Sequence, residues 1–300
     1  MTNPMTIIEQ SLIAKDPKGK SEDGIVVAPD FIAVIDGSTS KSKVCCHRDP
    51  AFLSVPSAAF PWPRKHSNGE LAMLIIAKYI KKMRKDTTCN QFCSGVTASV
   101  RSYYKKELLA HLSEHPEDRL TASVIIFSRL RREVWMVGDC QALLIPAKPS
   151  AEGEQEPLFL DNPKPYEHEL AELRSKEAKR LLAAGTTVDE LLEHDVARDA
   201  IIPRMLETMK HQNNGYSVVD GFPIDKLHIR TIPLDFQPWE IVLASDGYPF
   251  LCRTLGESER RLSLQREKDP LNIGPEFLAT KAFRPGFDSF DDRTYIRFLV

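Results

Sequence analysis

Four aspartates lie at the ends of short strand-like segments of the sequence. Two of them directly follow an apolar run and precede a glycine, and the other two come just before an apolar run. In an antiparallel sheet, the end of one strand and the start of its neighbour share an edge. The sequence therefore predicts a single sheet edge that collects these carboxylates. They are Asp23, Asp36, Asp246 and Asp291.

Carboxylates that lie this close together repel one another unless they take up protons or share cations. Clusters of oxygen ligands suit Mg²⁺ or Mn²⁺, which are hard ions that keep several water ligands. The glycines after Asp36 and Asp246 let the backbone approach closely, so a carbonyl oxygen is a further candidate ligand. The pattern therefore predicts a divalent metal site. An Asp-Gly pair taken alone is more typical of a turn, and we interpret Asp220-Gly221 and the hairpin-like Gly138-Asp139 as turns, not ligands.

Short runs rich in Val, Ile and Phe and bounded by Gly, Pro or Asp are typical of strands. They cover residues 25–27, 31–35, 122–128, 134–137, 141–145, 227–232, 241–244 and 295–300. Apolar residues at steps of three and four predict helices over 70–85, 91–112, 167–184 and 202–211. The connection between 134–137 and 141–145 is so short that we expect an antiparallel hairpin there. The predicted fold class is α+β, with helices packed against antiparallel sheets.

The composition is that of a globular protein. Hydrophobic residues make up 42% and charged residues 27% of the 300 residues, which argues against disorder. Three stretches, 47–69, 148–157 and 256–274, have an irregular composition, but none has the length or bias of a linker between domains. We therefore predict a single domain over residues 1–300.

Charge and cysteine content predict the cellular setting. A net charge of −2 gives no basic field that would hold nucleic acid. The most apolar stretch, 71–77, is too short to cross a bilayer, and the first residues do not resemble a signal peptide. Six cysteines are too few for a disulfide scaffold in a chain of this length. We therefore expect a cytoplasmic protein that binds neither nucleic acid nor membranes.

Other chemistries would leave signs that this sequence lacks. No cysteine is followed by arginine six positions later, as a cysteine phosphatase would require, and Asp36 does not begin an Asp-x-Asp motif. The chain also lacks the GxxxxGK[ST] motif of a phosphate-binding loop. A structural zinc site is a weaker alternative, because adjacent cysteines fit one tetrahedron poorly. Its ligands would be Cys45, Cys46, His47, Cys89 and Cys93.

Six short motifs occur in order along nearly the whole chain. They are SED (21–23), VIDGS (34–38), LTASVIIF (120–127), VGDCQALL (137–144), ASDG (244–247) and SFDDRT (289–294). Together they resemble the metal-dependent protein phosphatases of the protein phosphatase 2C type. The resemblance implies a four-layer α-β-β-α sandwich, in which helices flank two antiparallel sheets packed face to face. It also implies a dinuclear metal site at one end of this sandwich.

The resemblance implies roles for individual residues. Asp36 corresponds to the ligand shared by the two ions, and Gly37 to a ligand through its backbone carbonyl. Lys18 stands where the family has the arginine that grips phosphate. Asp161 corresponds to a carboxylate of a third, weaker metal site. The remaining implied metal ligands are Glu22, Asp23, Asp246 and Asp291.

The sequence departs from the family pattern at four positions. Ser38 stands where some members have a histidine proposed as general acid, and Lys18 offers a point charge where an arginine would bind phosphate in a bidentate manner. Asp292 replaces an asparagine, and Phe250 replaces an aspartate of the third metal site. The carboxylates implied as core ligands are all present, which favours metal binding.

The implied function is hydrolysis of phosphomonoesters by water activated between two Mn²⁺ or Mg²⁺ ions, without a phosphoenzyme. The expected substrate is a protein phosphorylated on serine or threonine, or a small phosphomonoester. The Pro-rich stretch 47–69 is a candidate region for substrate contact. The alternative is a catalytically weak homologue that acts as a binding or regulatory module. The sequence leaves the oligomeric state open.

Overall fold

Ten strands form two sheets in a computed structural model of the chain, which describes residues 4–39, 41, 66–147 and 156–300. The strands are β1 (Thr6–Ile13), β2 (Gly24–Val27), β3 (Phe31–Gly37), β4 (Ala122–Ser128), β5 (Glu133–Val137), β6 (Gln141–Pro146), β7 (Leu158–Leu160), β8 (Arg230–Pro233), β9 (Trp239–Ala244) and β10 (Arg293–Leu299). Sheet I has the strand order β1-β10-β9-β6-β7, and sheet II has the order β2-β3-β4-β5-β8. Every neighbouring pair is antiparallel, which confirms the predicted fold class.

Seven α-helices accompany the sheets in the described residues. They are α1 (Asn68–Ile80), α2 (Cys89–Arg101), α3 (Leu109–Glu114), α4 (Glu167–Ala183), α5 (Val188–Glu193), α6 (Val196–Met209) and α7 (Leu255–Lys268). On the outer face of sheet II, Leu71 of α1 and Phe92 of α2 share a core cluster with Trp135. On the outer face of sheet I, Leu255 of α7 packs against a cluster that contains Val242. Helices therefore flank both sheets. None of the helices in these residues is both long enough and apolar enough to span a bilayer.

The apolar runs of sheet II are continuous because both faces of this sheet are buried. Along β3, Ile32 and Val34 pack into the core between the two sheets, together with Leu243. Ile35 packs instead into the core beneath α1 and α2. Because side chains alternate between the two faces of a strand, Asp36 continues the series of Ile32 and Val34. Its carboxylate therefore emerges between the sheets, at the end of the sandwich.

The carboxylates predicted to meet come from both sheets. All odd-numbered strands end, and all even-numbered strands begin, at the same end of the sandwich, since neighbours are antiparallel and β5 passes directly into β6. Asp23 and Asp36 flank strands of sheet II, whereas Asp246 and Asp291 flank strands of sheet I. The prediction of a single sheet edge is therefore wrong, because the carboxylates meet where two packed sheets end together.

The hairpin predicted between 134–137 and 141–145 is also wrong. Strand β5 pairs with β4 and β8 in sheet II, and β6 pairs with β7 and β9 in sheet I. Three residues reach about 10 Å, and this is roughly the distance between packed sheets, so the connection is long enough to cross between them. Gly138 lies in the connection between the two sheets and has a φ of 91°. A Cβ at this position would overlap the side chain of Ser123.

Further elements differ from the prediction. The stretch 256–274, predicted to be irregular, contains most of α7, which begins at Leu255 after the N-cap residue Thr254. The helix predicted over 91–112 ends at Arg101 and resumes only at Leu109. Strand β1 was not predicted because it is a partly exposed edge strand without a continuous apolar run. Most of the stretches 47–69 and 148–157 lies outside the described residues.

Candidate metal centre

A cleft with a volume of about 420 Å³ opens at the end of the sandwich where the carboxylates meet. Its acidic lining residues are Asp36, Asp139, Asp161, Glu167, Asp246 and Asp291. Its basic lining residues are Lys41, Lys164, Arg198 and Lys281. Carboxylates and ammonium groups are therefore interleaved on one concave surface.

Asp23 and Asp36 lie on adjacent strands of sheet II. Asp23 is almost fully buried, and its Oδ2 accepts a hydrogen bond of 2.9 Å from the hydroxyl of Thr294 on β10. Burial raises the pKa of Asp36 well above its usual range, and the charges of Asp23 and Asp139 add to this effect. Burial also raises the pKa of Asp23 from 3.8 to about 7. Both carboxylates therefore favour either a proton or a neighbouring cation.

Glu22 and Gly37 hold the backbone of this region together. The N–H of Gly37 donates to the carbonyl of Glu22 at 3.2 Å. The Glu22 carboxylate accepts hydrogen bonds from the hydroxyls of Thr39 and Ser67. A Cβ at Gly37 would overlap the carbonyl of Gly69, so this close approach requires glycine. Glu22 is thus oriented by hydroxyl groups next to the cleft.

Asp139, Glu167 and Asp246 form the tightest carboxylate group in the described residues. One oxygen from each lies within 4.8 Å of the others, a spacing that suits one metal ion. Asp139 is oriented from both sides, because its Oδ1 accepts from the Ser123 hydroxyl at 2.5 Å and its Oδ2 lies 2.5 Å from Nζ of Lys164. Asp139 lies in the connection between the two sheets and not in the predicted hairpin turn, and it lines the cleft, so its exclusion as a candidate ligand is not supported.

The pKa values of this group reflect its crowding. Burial raises the pKa of Asp246 well above its usual range, with further contributions from Asp36 and Asp139. Burial and the charge of Asp139 also raise the pKa of Glu167. Although burial disfavours the ammonium form of Lys164, the charges of Asp139 and Glu167 raise its pKa well above its usual range. The negative potential of the cleft therefore favours the charged form of this partly buried lysine.

Asp291 is held by two lysines. Nζ of Lys15 lies 3.1 Å from its Oδ1, and Lys281 forms an ion pair with its Oδ2. The neighbouring Asp292 is buried and accepts hydrogen bonds from the backbone N–H groups of Lys15 and Glu22, at 2.8 and 3.0 Å. Asp291 thus faces the cleft, whereas Asp292 fixes the backbone behind it.

Two predicted site residues lie at the periphery. Lys18 is exposed, is not among the lining residues of the cleft, and has its N–H bonded to Asp16 at 2.9 Å. Its predicted contact with phosphate therefore gains no support from its position. Asp161 is exposed at the rim of the cleft, where its carbonyl accepts from Arg230. Phe250 lies beside the ring of Phe277, at a centroid distance of 6.0 Å.

Sequence reasoning missed several residues of the cleft. Asp139 follows β5 by two positions, so the same carboxylate-after-strand pattern that indicated Asp36 would have found it. Lys164 lies just before α4, and Glu167 is the first residue of this helix. Lys281 belongs to a loop, and only the tertiary structure brings it to the carboxylates.

The donor set fits a hard divalent cation. All candidate side-chain ligands are carboxylates, and Mn²⁺ and Mg²⁺ prefer oxygen ligands. Several of these carboxylates are oriented by hydroxyl groups, as ligands of metal sites commonly are. Among the candidate zinc ligands, only Cys89 and Cys93 lie within the described residues, and their side chains share a hydrogen bond. Cys45, Cys46 and His47 lie outside these residues.

Comparison with known proteins finds similarity in structure but not in sequence. No protein-family model matches the chain, and no curated protein matches its sequence. The catalytic domain of the serine/threonine protein phosphatase PstP, in complex with two manganese ions, is 10% identical, with 99% of this chain and 97% of that chain covered and a TM-score of 0.45. RsbX in complex with magnesium is 11% identical, with 98% of each chain covered and a TM-score of 0.42.

A third similar structure is the PPM Ser-Thr phosphatase MsPP from Mycobacterium smegmatis in complex with cacodylate. It is 12% identical, with 98% of each chain covered and a TM-score of 0.44.

Proposed function

We propose that this protein is a metal-dependent phosphomonoester hydrolase that acts on phosphoserine or phosphothreonine in proteins. One observation carries the proposal: carboxylates from both sheets converge on one cleft, where Lys15, Lys164 and Lys281 form ion pairs with them. A cluster of buried carboxylates costs much free energy unless cations compensate it. Carboxylates with raised pKa values in a concave site are typical of a functional site.

The carboxylates supply the ligands of the proposed metal centre. Asp36, between the two sheets, is the ligand proposed to serve two ions, with the carbonyl of Gly37 beside it. The remaining proposed ligands are Glu22, Asp23, Asp139, Glu167, Asp246 and Asp291, with Asp161 at a weak outer position. When bound, Mn²⁺ or Mg²⁺ lowers the pKa of water, which yields a nucleophile at neutral pH, and offsets negative charge on the phosphoryl oxygens.

Basic residues of the cleft complement a phosphoryl group. Lys164 and Lys41 line the same surface as the carboxylates. Lys164 stays charged because Asp139 holds it, so it presents positive charge to an anionic substrate. The role that the resemblance gave to Lys18 is therefore proposed for Lys164, whereas burial lowers the pKa of Lys41 well below its usual range.

The cleft also has apolar lining residues. They are Leu170 of α4, Met205 and Met209 of α6, Phe277 and Phe290. Methionine side chains adapt to different partners. A cleft that combines apolar and charged residues suits a phosphorylated side chain of a protein, whose flanking residues would cover the cleft and exclude water.

Hydrolysis of an aryl phosphate and of a phosphothreonine peptide tests the proposal. Both assays are run after EDTA treatment and again with Mn²⁺ or Mg²⁺ restored. We expect hydrolysis only with the metal. Hydrolysis at the same rate in EDTA, or none under any metal condition, would contradict the proposed function.

A second candidate is a catalytically weak homologue that acts as a binding or regulatory module. The ion pairs of Lys15 and Lys281 with Asp291, and of Lys164 with Asp139, favour it, because they compensate the carboxylates without a metal. Measuring the metal content of the purified protein separates the two candidates. Absence of both bound metal and hydrolysis, with tight binding of a phosphopeptide, would support the second one.

A further inference from the structure

Lys281 lies among the carboxylates that the sequence assigns to metal binding. Its ammonium group forms an ion pair with Asp291, and both residues line the cleft together with Asp36 and Asp246. Burial raises the pKa of Asp36 and of Asp246, and the charge of Lys281 opposes this rise at both carboxylates. The ammonium group of Lys281 therefore pairs with one proposed metal ligand, Asp291, and lies in the same cleft as two others, Asp36 and Asp246.

The backbone that carries Lys281 is fixed from within the protein. Asn272 is fully buried, and its Nδ2 donates to the carbonyl of Lys281 at 3.1 Å. Arg174 is fully buried as well, and its NH1 donates to the carbonyl of Ala279 at 3.0 Å, two residues before Lys281. Because these contacts hold the loop, directing the lysine at the carboxylates costs less conformational entropy than it would from a free loop.

We propose that Lys281 is a built-in counter-cation of the metal centre. In the metal-free protein its ammonium group takes the place of a divalent cation among Asp36, Asp246 and Asp291, and it competes with the metal for them. The inference rests on the proposed function only in that both assign these carboxylates to one cation-binding cluster. Its consequence is regulatory: metal binds only when its concentration is high enough to displace the lysine.

Removing the charge of Lys281 distinguishes competition with the metal from support of metal binding, because the two roles predict opposite changes in the affinity for Mn²⁺. If Lys281 competes with the metal, Lys281→Met should raise the affinity for Mn²⁺, because the metal no longer displaces an ammonium group. Lys281→Arg keeps the competing charge and should bind Mn²⁺ as weakly as the parent. The matched control is Lys18→Met, which removes an exposed lysine outside the cleft.

Calorimetric titration of the full chain with Mn²⁺ measures this affinity. We expect Lys281→Met to bind about tenfold more tightly than the parent, which corresponds to about 1.4 kcal/mol. Lys281→Arg and Lys18→Met should stay within about twofold of the parent. Unchanged or weaker Mn²⁺ binding by Lys281→Met would overturn the inference, as would an equal gain in Lys18→Met.

Thermal unfolding gives a second readout that does not depend on activity. In EDTA, Lys281→Met should melt at a lower temperature than the parent, and Mn²⁺ should raise its melting temperature by a larger amount. If this variant folds only with metal, competition with a chelating indicator replaces the calorimetry, and an affinity no tighter than that of the parent overturns the inference.

The two proposals fail separately. Tighter Mn²⁺ binding by Lys281→Met, combined with no phosphatase activity of the parent, would support the counter-cation and reject the hydrolase. Metal-dependent hydrolysis by the parent, combined with unchanged Mn²⁺ affinity of Lys281→Met, would support the hydrolase and reject the counter-cation.

Discussion

Asp23, directly before β2, lies opposite Asp36 near the end of β3. The register of these strands pairs Gly24 with Ile35, and continuing it by one position places Asp23 opposite Asp36. This placement is in keeping with the hydrogen bond from the N–H of Gly37 to the carbonyl of Glu22. Like charges directly opposite each other destabilise a sheet, and burial increases the cost because water no longer screens them. The two carboxylates therefore destabilise sheet II at the end where the cleft opens, unless a proton or a cation compensates their charge.

The first prediction concerns the carboxylate proposed to serve both ions. Asp36→Asn keeps the size of the side chain but removes its charge, so we expect metal-dependent hydrolysis to fall by roughly 100-fold or more. Asp189→Asn is the matched control, since Asp189 is exposed on α5 and does not line the cleft. Steady-state kinetics with saturating Mn²⁺ measures both variants. Near-parental turnover in Asp36→Asn would show that the site assignment is wrong.

The second prediction concerns pH and the metal-free protein. The pKa of Asp23 is raised from 3.8 to about 7, so its protonated form is favoured in the folded state. This contribution to stability is fully present below pH 3.8 and is lost as the pH rises through about 7. In EDTA, the parent should therefore lose more stability between pH 5 and pH 8 than Asp23→Asn does. Over this pH range the loss for this one group is on the order of 3 kcal/mol.

Thermal unfolding in EDTA at several pH values measures this difference, and added Mn²⁺ provides the control. Bound cations replace protons as the compensating charge, so Mn²⁺ should raise the melting temperature most at pH 8. At a hundredfold excess over Kd the expected gain is about 2.7 kcal/mol per site. Equal slopes for the parent and Asp23→Asn would contradict the prediction.

The third prediction separates the inner carboxylates from the rim. Asp161 is exposed, and Phe250 offers no oxygen where the family has a second ligand for the third ion, so an ion there should bind weakly. Asp161→Ala should keep two tightly bound ions and lower turnover only in part, whereas Asp246→Ala should lose tightly bound metal. Calorimetric titration with Mn²⁺ gives both stoichiometries. Three tight ions in the parent, or loss of one in Asp161→Ala, would refute the assignment.

The fourth prediction concerns the crossing between the two sheets. Gly138→Ala must adopt a positive φ and also overlaps Ser123, so we expect a loss of about 3 kcal/mol in the free energy of unfolding. Gly185→Ala is the control, because its φ of 103° is equally unfavourable but nothing lies within 4 Å of the added Cβ. It should lose only about 1 kcal/mol. Urea unfolding of both variants measures the difference, and equal losses would contradict the overlap at Ser123.

Much of the candidate site was predictable because its carboxylates lie beside strands. Asp36 and Asp246 directly follow apolar runs, and the length of such a run is a local property that sets where a strand ends. The antiparallel order of neighbouring strands then brings ends and starts together. The α+β fold class and the acidic end of the sandwich could therefore be inferred without coordinates.

The sheet to which a strand belongs could not be inferred in this way. The connection after β5 is equally compatible with a hairpin and with a crossing, and the choice depends on pairing of Gln141 with Ala244, about a hundred residues away. This long-range pairing places Asp139 between the two sheets, and α4, also brought in from a distance, adds Glu167. The tightest carboxylate group of the cleft was therefore not predicted.

The sequence by itself determined that carboxylates accumulate at the ends of strands and that the chain folds into antiparallel sheets with helices. Only the tertiary structure decided which cations reach these carboxylates. Lys281 has no local signal, because its loop is positioned by Asn272 and Arg174 through hydrogen bonds to the backbone. Lys18, which a motif did indicate, is exposed. The physical reason is that electrostatic partners are set by distance in space, and distance in space depends on packing that short sequence patterns do not encode.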